Sequence, residues 1–280
     1  MTWMVTGGAG YIGSHVVKAF GEVGLRTVVL DDLSSGHEAF VPAGVPLVRG
    51  SILDTPLVRQ VLTEHAVTGV VHLAGFKYAG VSVQRPLHTY EQNVTGTASL
   101  LTAMADTGVD AMVFSSSAAT YGTPRTDLVT ESTPTAPESP YGESKLIGEW
   151  LLRDQGVATG LRHTSLRYFN VVGSGSPDLY DTSPHNLFPL VLEALVEGRT
   201  PASTASTTTR PTAPASGTTC TSPTSRTPMS PRRALRRRPP ARAGLQPRQR
   251  SGGVGPPDHG DDGRGHRGRL RPRDRPAPAR

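Results

Sequence analysis

The first thirty residues constrain the fold more than any other part of the chain. Trp3-Met4-Val5 is a short apolar run without polar alternation, which reads as a strand buried on both faces. It leads directly into Thr6-Gly7-Gly8-Ala9-Gly10-Tyr11-Ile12-Gly13-Ser14-His15, and the stretch from Tyr11 to Val23 reads as a helix. Glycines at 7, 10 and 13 permit a tight turn, let an anion approach the backbone, and let the helix lie close to the sheet with its N-terminus toward that anion. Thr27-Val28-Val29-Leu30 reads as a second strand and ends in Asp31, 18 residues beyond Gly13. A carboxylate there can accept both ribose hydroxyls of an adenosine. With Asp32 beside it and no adjacent Arg, it repels a 2′-phosphate. Gly7, Gly10, Tyr11, Ile12, Gly13 and Asp31 therefore form a candidate dinucleotide site that favours NAD over NADP.

The same alternation continues. Val45-Pro46-Leu47-Val48, Gly69-Val70-Val71-His72-Leu73, Ala111-Met112-Val113-Phe114 and Ser165-Leu166-Arg167-Tyr168 read as strands, with helices near 55–65, 87–106 and 141–155. Unalternated strands separated by helices form a parallel sheet covered on both faces. The expected fold class is α/β, a doubly wound, Rossmann-like parallel-sheet domain over 1–198. Ligands in such folds sit beyond the carboxyl ends of the strands.

Composition divides the chain. Residues 1–200 hold 12 of the 29 Lys and Arg and 19 of the 23 Asp and Glu, whereas 201–280 hold 17 Arg, 4 Asp, 14 Pro and no aromatic residue. The large apolar side chains of that second part are Met229, Leu235, Leu245, Val254 and Leu270, too few to offset the ordering entropy of a core. Residues 199–280 therefore read as a disordered, low-complexity basic tail. No aromatic side chain interleaves its arginines, so salt-sensitive sticking rather than specific nucleic-acid binding is expected. A single cysteine, Cys220, excludes an internal disulfide and a multi-thiolate metal site, and no metal is expected. No apolar run reaches the roughly 18 residues of a membrane span, and the N-terminus turns glycine-rich before a signal h-region could form. These readings together favour a cytoplasmic protein without membrane association.

A second group of residues carries chemistry. Ser115-Ser116-Ser117 follows the strand at Ala111–Phe114, and Tyr141-Gly142-Glu143-Ser144-Lys145 places a phenol and an ammonium one helical turn apart. An ammonium near a phenol favours the phenolate, as would a nicotinamide cation. Taken alone, Tyr141 and Lys145 read as a half-buried aromatic and a solvated charge. Downstream of a dinucleotide loop, and with a hydroxyl triplet at a strand end, they read as a proton-transfer set.

Further motifs follow in order over 1–200: Leu30-Asp31-Asp32-Leu33-Ser34-Ser35-Gly36, His72-Leu73-Ala74-Gly75-Phe76-Lys77, Asn93-Val94-Thr95-Gly96-Thr97, Phe114-Ser115-Ser116-Ser117-Ala118, Ser139-Pro140-Tyr141-Gly142, Leu166-Arg167-Tyr168-Phe169-Asn170 and Asn186-Leu187-Phe188-Pro189. With the glycine loop and the Ser/Tyr/Lys set, they resemble the extended short-chain dehydrogenase/reductase family, and within it the UDP-glucose 4-epimerases. The resemblance implies an isomerase of nucleotide-sugar and galactose metabolism with tightly held NAD. In it Tyr141 removes the sugar 4-hydroxyl proton, Ser117 hydrogen-bonds that hydroxyl, and Lys145 holds the nicotinamide ribose and lowers the phenol pKa. Hydride leaves C4 and returns to the opposite face after the 4-keto sugar turns over. Ser51, Ile52, Lys77, Asn93 and Tyr168 join the cofactor site, while Asn170, Asn186 and Leu187 hold the UDP-sugar. The resemblance also implies a homodimer formed through the helices near 93–106 and 141–155.

Four places depart from the family pattern. Ser51 stands where an Asp usually holds the adenine, Tyr78-Ala79-Gly80-Val81 replaces a run of small residues, Val171-Val172 follows Asn170 in place of a proline, and Gly173-Ser174-Gly175-Ser176 is only loosely similar. A nucleotide-sugar 4,6-dehydratase would need an acid pair where this chain has Ala118-Ala119. A related decarboxylase or epimerase, or an NAD-binding protein without catalysis, remains open.

The tail carries one more expectation. In a shifted reading frame, residues 212–229 can spell D-G-T-C-V-R-D-Y-V-H-V-A-D-L-A-D-A-H, and in the third frame 245–250 can spell Y-N-L-G-S-G; both are similar to later motifs of the family. Frame changes near residue 200 and between 232 and 244 are expected, leaving a chain that keeps its NAD site but epimerises little or not at all.

Overall fold

The computed structural model describes residues 1–183 and 185–201, together with the backbone of residues 220 and 221. β1 (Thr2–Thr6) is buried along its whole length. Its side chains point alternately into two cores. Met4 packs with Val28, Leu30, Val70, Met112 and Phe114 on one face of the sheet, and Trp3 and Val5 pack with Val29, Val71 and Val113 on the other. Both faces are covered, so a polar alternation would place polar groups in one core or the other.

The remaining elements are α1 (Tyr11–Glu22), β2 (Arg26–Asp31), β3 (Leu47–Arg49), α2 (Thr55–Glu64), β4 (Val67–His72), α3 (Ala79–Gln84), α4 (Pro86–Tyr90), α5 (Gly96–Thr107), β5 (Ala111–Ser115), α6 (Pro140–Thr159), β6 (Arg162–Leu166), β7 (Val171–Val172), α7 (Leu187–Val196) and β8 (Cys220–Thr221). Short 3-10 turns lie at Glu38–Phe40 and Ala118–Tyr121, and a π turn lies at Glu91–Thr95. The main sheet has the order β3-β2-β1-β4-β5-β6, parallel throughout. β7 pairs in parallel with β8. Strand order reverses between β1 and β4, the switch point where an open α/β sheet leaves a crevice for ligand.

α1 covers one face through Val16, Val17 and Phe20. The opposite face is covered by Val58, Val61 and Leu62 of α2, Leu100, Leu101 and Met104 of α5, and Leu152 of α6. Each such side chain stabilises the fold by about 1.5–3 kcal/mol when fully buried. Local signals fix both ends of α6. Ser139 caps α6 by accepting from the Gly142 N–H at 3.2 Å, and Gly160 (φ +80) ends it.

Three elements differ from the sequence reading. β3 begins at Leu47 rather than Val45, because Pro46 has no N–H for a ladder; its carbonyl still accepts from Val29 N. β6 covers Arg162–Leu166 rather than 165–168, since its register with β5 pairs Ala111 with Arg162 and Ser115 with Leu166. As the outermost strand it tolerates exposed polar residues, which the apolar reading passed over. The helix expected over 87–106 is interrupted by the π turn at Glu91–Thr95. Helix α3 had not been expected. The shifted-frame readings at 212–229 and 245–250 lie outside the described residues, apart from the backbone of 220 and 221.

Candidate active site

The turn after β1 is shaped for close approach. Gly7 has φ +70, and a Cβ there would stand 2.7 Å from Ala74 N. At Gly13 a Cβ would stand 2.1 Å from the Gly7 carbonyl oxygen, so only glycine lets α1 lie this near the turn. Gly10, the N-cap of α1, supplies no side-chain cap, and Gly7, Gly10, Tyr11, Ile12 and Gly13 all line the cleft. The first N–H groups of a helix have no intrahelical acceptor, and these stand at the cleft wall.

Asp31 closes β2 and is 6% exposed. Its Oδ2 accepts from Ala9 N and its Oδ1 from Leu33 N, both at 2.9 Å. Burial raises its pKa, and these two hydrogen bonds oppose the rise. Lys77 reaches water but sits in the concavity of the cleft, where the surrounding protein lowers its pKa against the pull of Asp181 and Asp31.

The cleft, about 1460 Å³, continues past the end of β4 to β5 and α6. There Ser117, Tyr141 and Lys145 line the same space as the glycine turn. Ser117 stands two residues beyond β5, caps the 3-10 turn at Ala118–Tyr121 by accepting from Ala119 N at 3.1 Å, and acts on the Tyr141 hydroxyl, lowering its pKa. Lys145, 5% exposed, lies one turn of α6 from Tyr141, with Nζ 5.8 Å from the Tyr141 ring centre and 5.2 Å from that of Phe114. Among the described residues no carboxylate pairs with it. Burial lowers its pKa to about 8. The expectation that Lys145 lowers the phenol pKa meets an opposing effect here. Burial raises Tyr141, and the Ser117 hydrogen bond is what lowers it. Tyr168 is also pushed up by burial and hydrogen-bonds to Ser115.

Asn93, expected beside the cofactor, stands behind the cleft wall. It is 4% exposed and binds both backbone polar groups of Phe76, accepting from Phe76 N at 2.7 Å and donating to Phe76 O at 2.9 Å. Its Nδ2 also donates to Ser144 Oγ at 2.8 Å. Gly75 needs its φ of +141 and its missing Cβ here, since a Cβ would stand 2.6 Å from Asn93 Oδ1. Ser51 lines the cleft and accepts from Leu53 N. Ile52 reaches the cleft but is 5% exposed and packs into the core.

Asn170, Asn186 and Leu187 stand on the opposite lip, Asn186 donating to Asp181 Oδ2 at 2.7 Å. Gly173, Gly175 and His185 meet the body through contacts that sequence reasoning had missed. The Tyr11 hydroxyl donates to Gly173 O, Gly175 N donates to His15 Nε2 at 3.0 Å, and the Tyr78 and His185 rings meet edge-on at 4.6 Å. These partners are far apart in sequence and follow no period. Among the described residues no group of His, Cys, Asp and Glu could hold a metal ion, and no helix is long and apolar enough to cross a membrane.

Residues 3–211 match the profile of the NAD dependent epimerase/dehydratase family. The chain belongs to that family. A UDP-glucose 4-epimerase from Azospirillum brasilense is 48% identical over 171 residues, which is 61% of this chain and 49% of the relative. One from Streptomyces lividans is 44% identical over 203 residues, covering 71% and 61% respectively. Among solved structures, a UDP-glucose 4-epimerase at 40% identity superposes with a TM-score of 0.68 over 71% of this chain and 61% of the other. The Brucella ovis UDP-glucose 4-epimerase solved with NAD gives 0.61 at 43% identity, over 62% and 53%. The chain thus spans about half to three fifths of the length of these epimerase/dehydratase relatives.

Proposed function

We propose that this chain is the coenzyme-binding and proton-transferring part of a UDP-glucose 4-epimerase, with NAD held along the carboxyl edge of the sheet. The observation that carries the reading is a single cleft with the glycine turn and Asp31 at one end and Ser117, Tyr141 and Lys145 at the other. Its donor set fits a dinucleotide. The uncapped start of α1 offers N–H groups to a pyrophosphate. Asp31, already fixed by two N–H groups, keeps lone pairs for a ribose diol. Lys145 offers an ammonium beside Tyr141.

When bound, NAD supplies the hydride acceptor that no protein side chain provides and, oxidised, a positive charge near the phenol. Tyr141 Oη accepts the proton of the sugar 4-hydroxyl and later returns it, Ser117 Oγ orients that hydroxyl, and Lys145 Nζ holds the coenzyme ribose. Asn170, Asn186 and Leu187 face them across the cleft and would hold the UDP-sugar. The 4-epimerase names of the relatives favour interconversion of UDP-glucose and UDP-galactose over elimination or decarboxylation. Two copies would pair through α5 and α6, where Trp150 is 47% and Val157 86% exposed. The reading places the chain in the cytoplasm.

The test is a fluorescence titration with NADH, followed by turnover of UDP-galactose, on the wild type, Asp31→Ala and Tyr141→Phe. One NADH per chain is expected, bound at least about tenfold more weakly without the Asp31 carboxylate. Tyr141→Phe is expected to keep NADH but lower turnover about 10²–10⁴-fold. NADH affinity indifferent to Asp31, or turnover indifferent to Tyr141, would contradict the reading.

A further inference from the structure

Tyr141 is the second residue of α6, so its N–H has no acceptor within the helix. Ser139, the N-cap, serves the N–H of Gly142 with its side chain and that of Glu143 with its carbonyl. The acceptor for Tyr141 N comes from another element, Ser82 Oγ at 3.2 Å. Ser82 is fully buried in α3. Its hydroxyl proton is committed to Ala79 O at 2.6 Å, which leaves its lone pairs for Tyr141. On the other side, the Tyr141 carbonyl accepts from Ser144 Oγ at 2.7 Å, and Ser144 is held in turn by Asn93. The peptide units flanking the phenol-bearing residue are therefore fixed by two buried serines. Of these, Ser144 lies within α6, whereas Ser82 belongs to the neighbouring helix α3.

That helix is part of the cleft wall. Tyr78, the N-cap of α3, accepts from Ser82 N at 2.8 Å and lines the cleft next to Lys77. Tyr78 also meets His185 on the far lip. Hydrogen bonds thus link the α3 N-terminus through Ser82 to the backbone of Tyr141.

We propose that Ser82 is a positioning residue for Tyr141: its hydroxyl oxygen ties the start of α6 to α3 and so sets where the phenol stands relative to Ser117 and Lys145. The assignment of Tyr141 as the base rests on the function proposed above, but the positioning itself is read without turnover.

The experiment uses the full chain labelled with [4-¹³C]tyrosine. Tyr141→Phe assigns the Tyr141 signal, which is then followed against pH in the wild type, Ser82→Ala and Ser82→Cys, with NADH affinity measured in parallel. Ser82→Ala removes the acceptor. Ser82→Cys keeps the side-chain size and a weak sulfur acceptor. The proposal expects the Ser82→Ala signal to move and its titration to shift upward by about half to one pH unit as the phenol loses its alignment with Ser117. Ser82→Cys should fall between that variant and the wild type. The tyrosines without a contact to α6, such as Tyr180, which packs on Phe40, should stay in place, and NADH affinity should change less than about twofold. An unmoved Tyr141 signal in both variants would overturn the proposal, as would a displacement shared by every tyrosine. Should Ser82→Ala fail to fold, the Ser82→Cys comparison alone decides. A wild type that binds no NADH would count against the proposed function and leave the outcome for Ser82 as measured.

Discussion

His72 shows how one buried side chain links the fold to pH. It ends β4 and is 1% exposed, with Nδ1 at 2.7 Å from Thr6 Oγ1 and Nε2 at 3.1 Å from Thr97 Oγ1. Burial, assisted by the nearby Lys145 charge, lowers its pKa to about 3 from 6.5. The unfolded chain therefore takes up a proton that the folded chain refuses. The stability from keeping this ring neutral is present above 6.5 and is lost as pH falls from there toward 3. Urea unfolding should show a loss approaching about 1.4 kcal/mol per pH unit from this group. His72→Gln should flatten that part of the profile, and equal slopes in the two proteins would contradict the assignment. The residues to which the proposal gives direct roles were readable in the sequence because their signals are local. The glycine spacing, Asp31 at a strand end, and the one-turn offset of Tyr141 and Lys145 each fall within a single element or junction. Asn93, His72 and Ser82 act through partners 17 to 66 residues away, and no periodicity marks such pairs.

At the scale of elements, α6 has the most to hold, because it carries both Tyr141 and Lys145. Its start depends on Ser139, so Ser139→Ala should cost about 1 kcal/mol by loss of the cap. Differential scanning calorimetry would read this as a lower Tm, and an unchanged Tm would show the cap to be dispensable. Its middle is tied to the chain just beyond β6. Glu149 takes Arg167 through two hydrogen bonds, Nε to Oε1 at 2.8 Å and Nη2 to Oε2 at 2.5 Å, and also accepts from Ser116. The two side chains are 22% and 13% exposed, so Arg167→Met should strand a poorly solvated carboxylate at a cost of about 2–3 kcal/mol. Adding Glu149→Gln should recover part of that loss, and a double variant no more stable than the single one would argue against the charge account. The strands and long helices were readable because both cores are built from Val, Leu and Met, in unbroken apolar runs along the strands and at helical spacing along the helices. The break between α4 and α5 was not, since nothing in Glu91–Thr95 departs from ordinary helical composition. α3, six residues long, is too short to show a period.

Across the whole molecule, coenzyme binding and folding should be coupled. The glycine turn, Asp31 and the α6 residues come from distant parts of one sheet, and a dinucleotide spanning them stabilises the folded chain alone. At 100 times Kd this amounts to about 2.7 kcal/mol. For a folded part of this size that is a rise in Tm of roughly 5–10 °C. NAD should produce the rise and NADP should not, because Asp31 and Asp32 oppose a 2′-phosphate; equal shifts from both would remove the basis of that preference. The measurement that bears most directly on the account is a crystal structure of this chain with NAD. It should show the adenosine ribose hydroxyls on Asp31, the pyrophosphate at the start of α1, and the nicotinamide ring within reach of the Tyr141 hydroxyl. A nicotinamide directed away from Tyr141 and Lys145 would contradict the central claim and leave a nucleotide-binding fold without its redox chemistry.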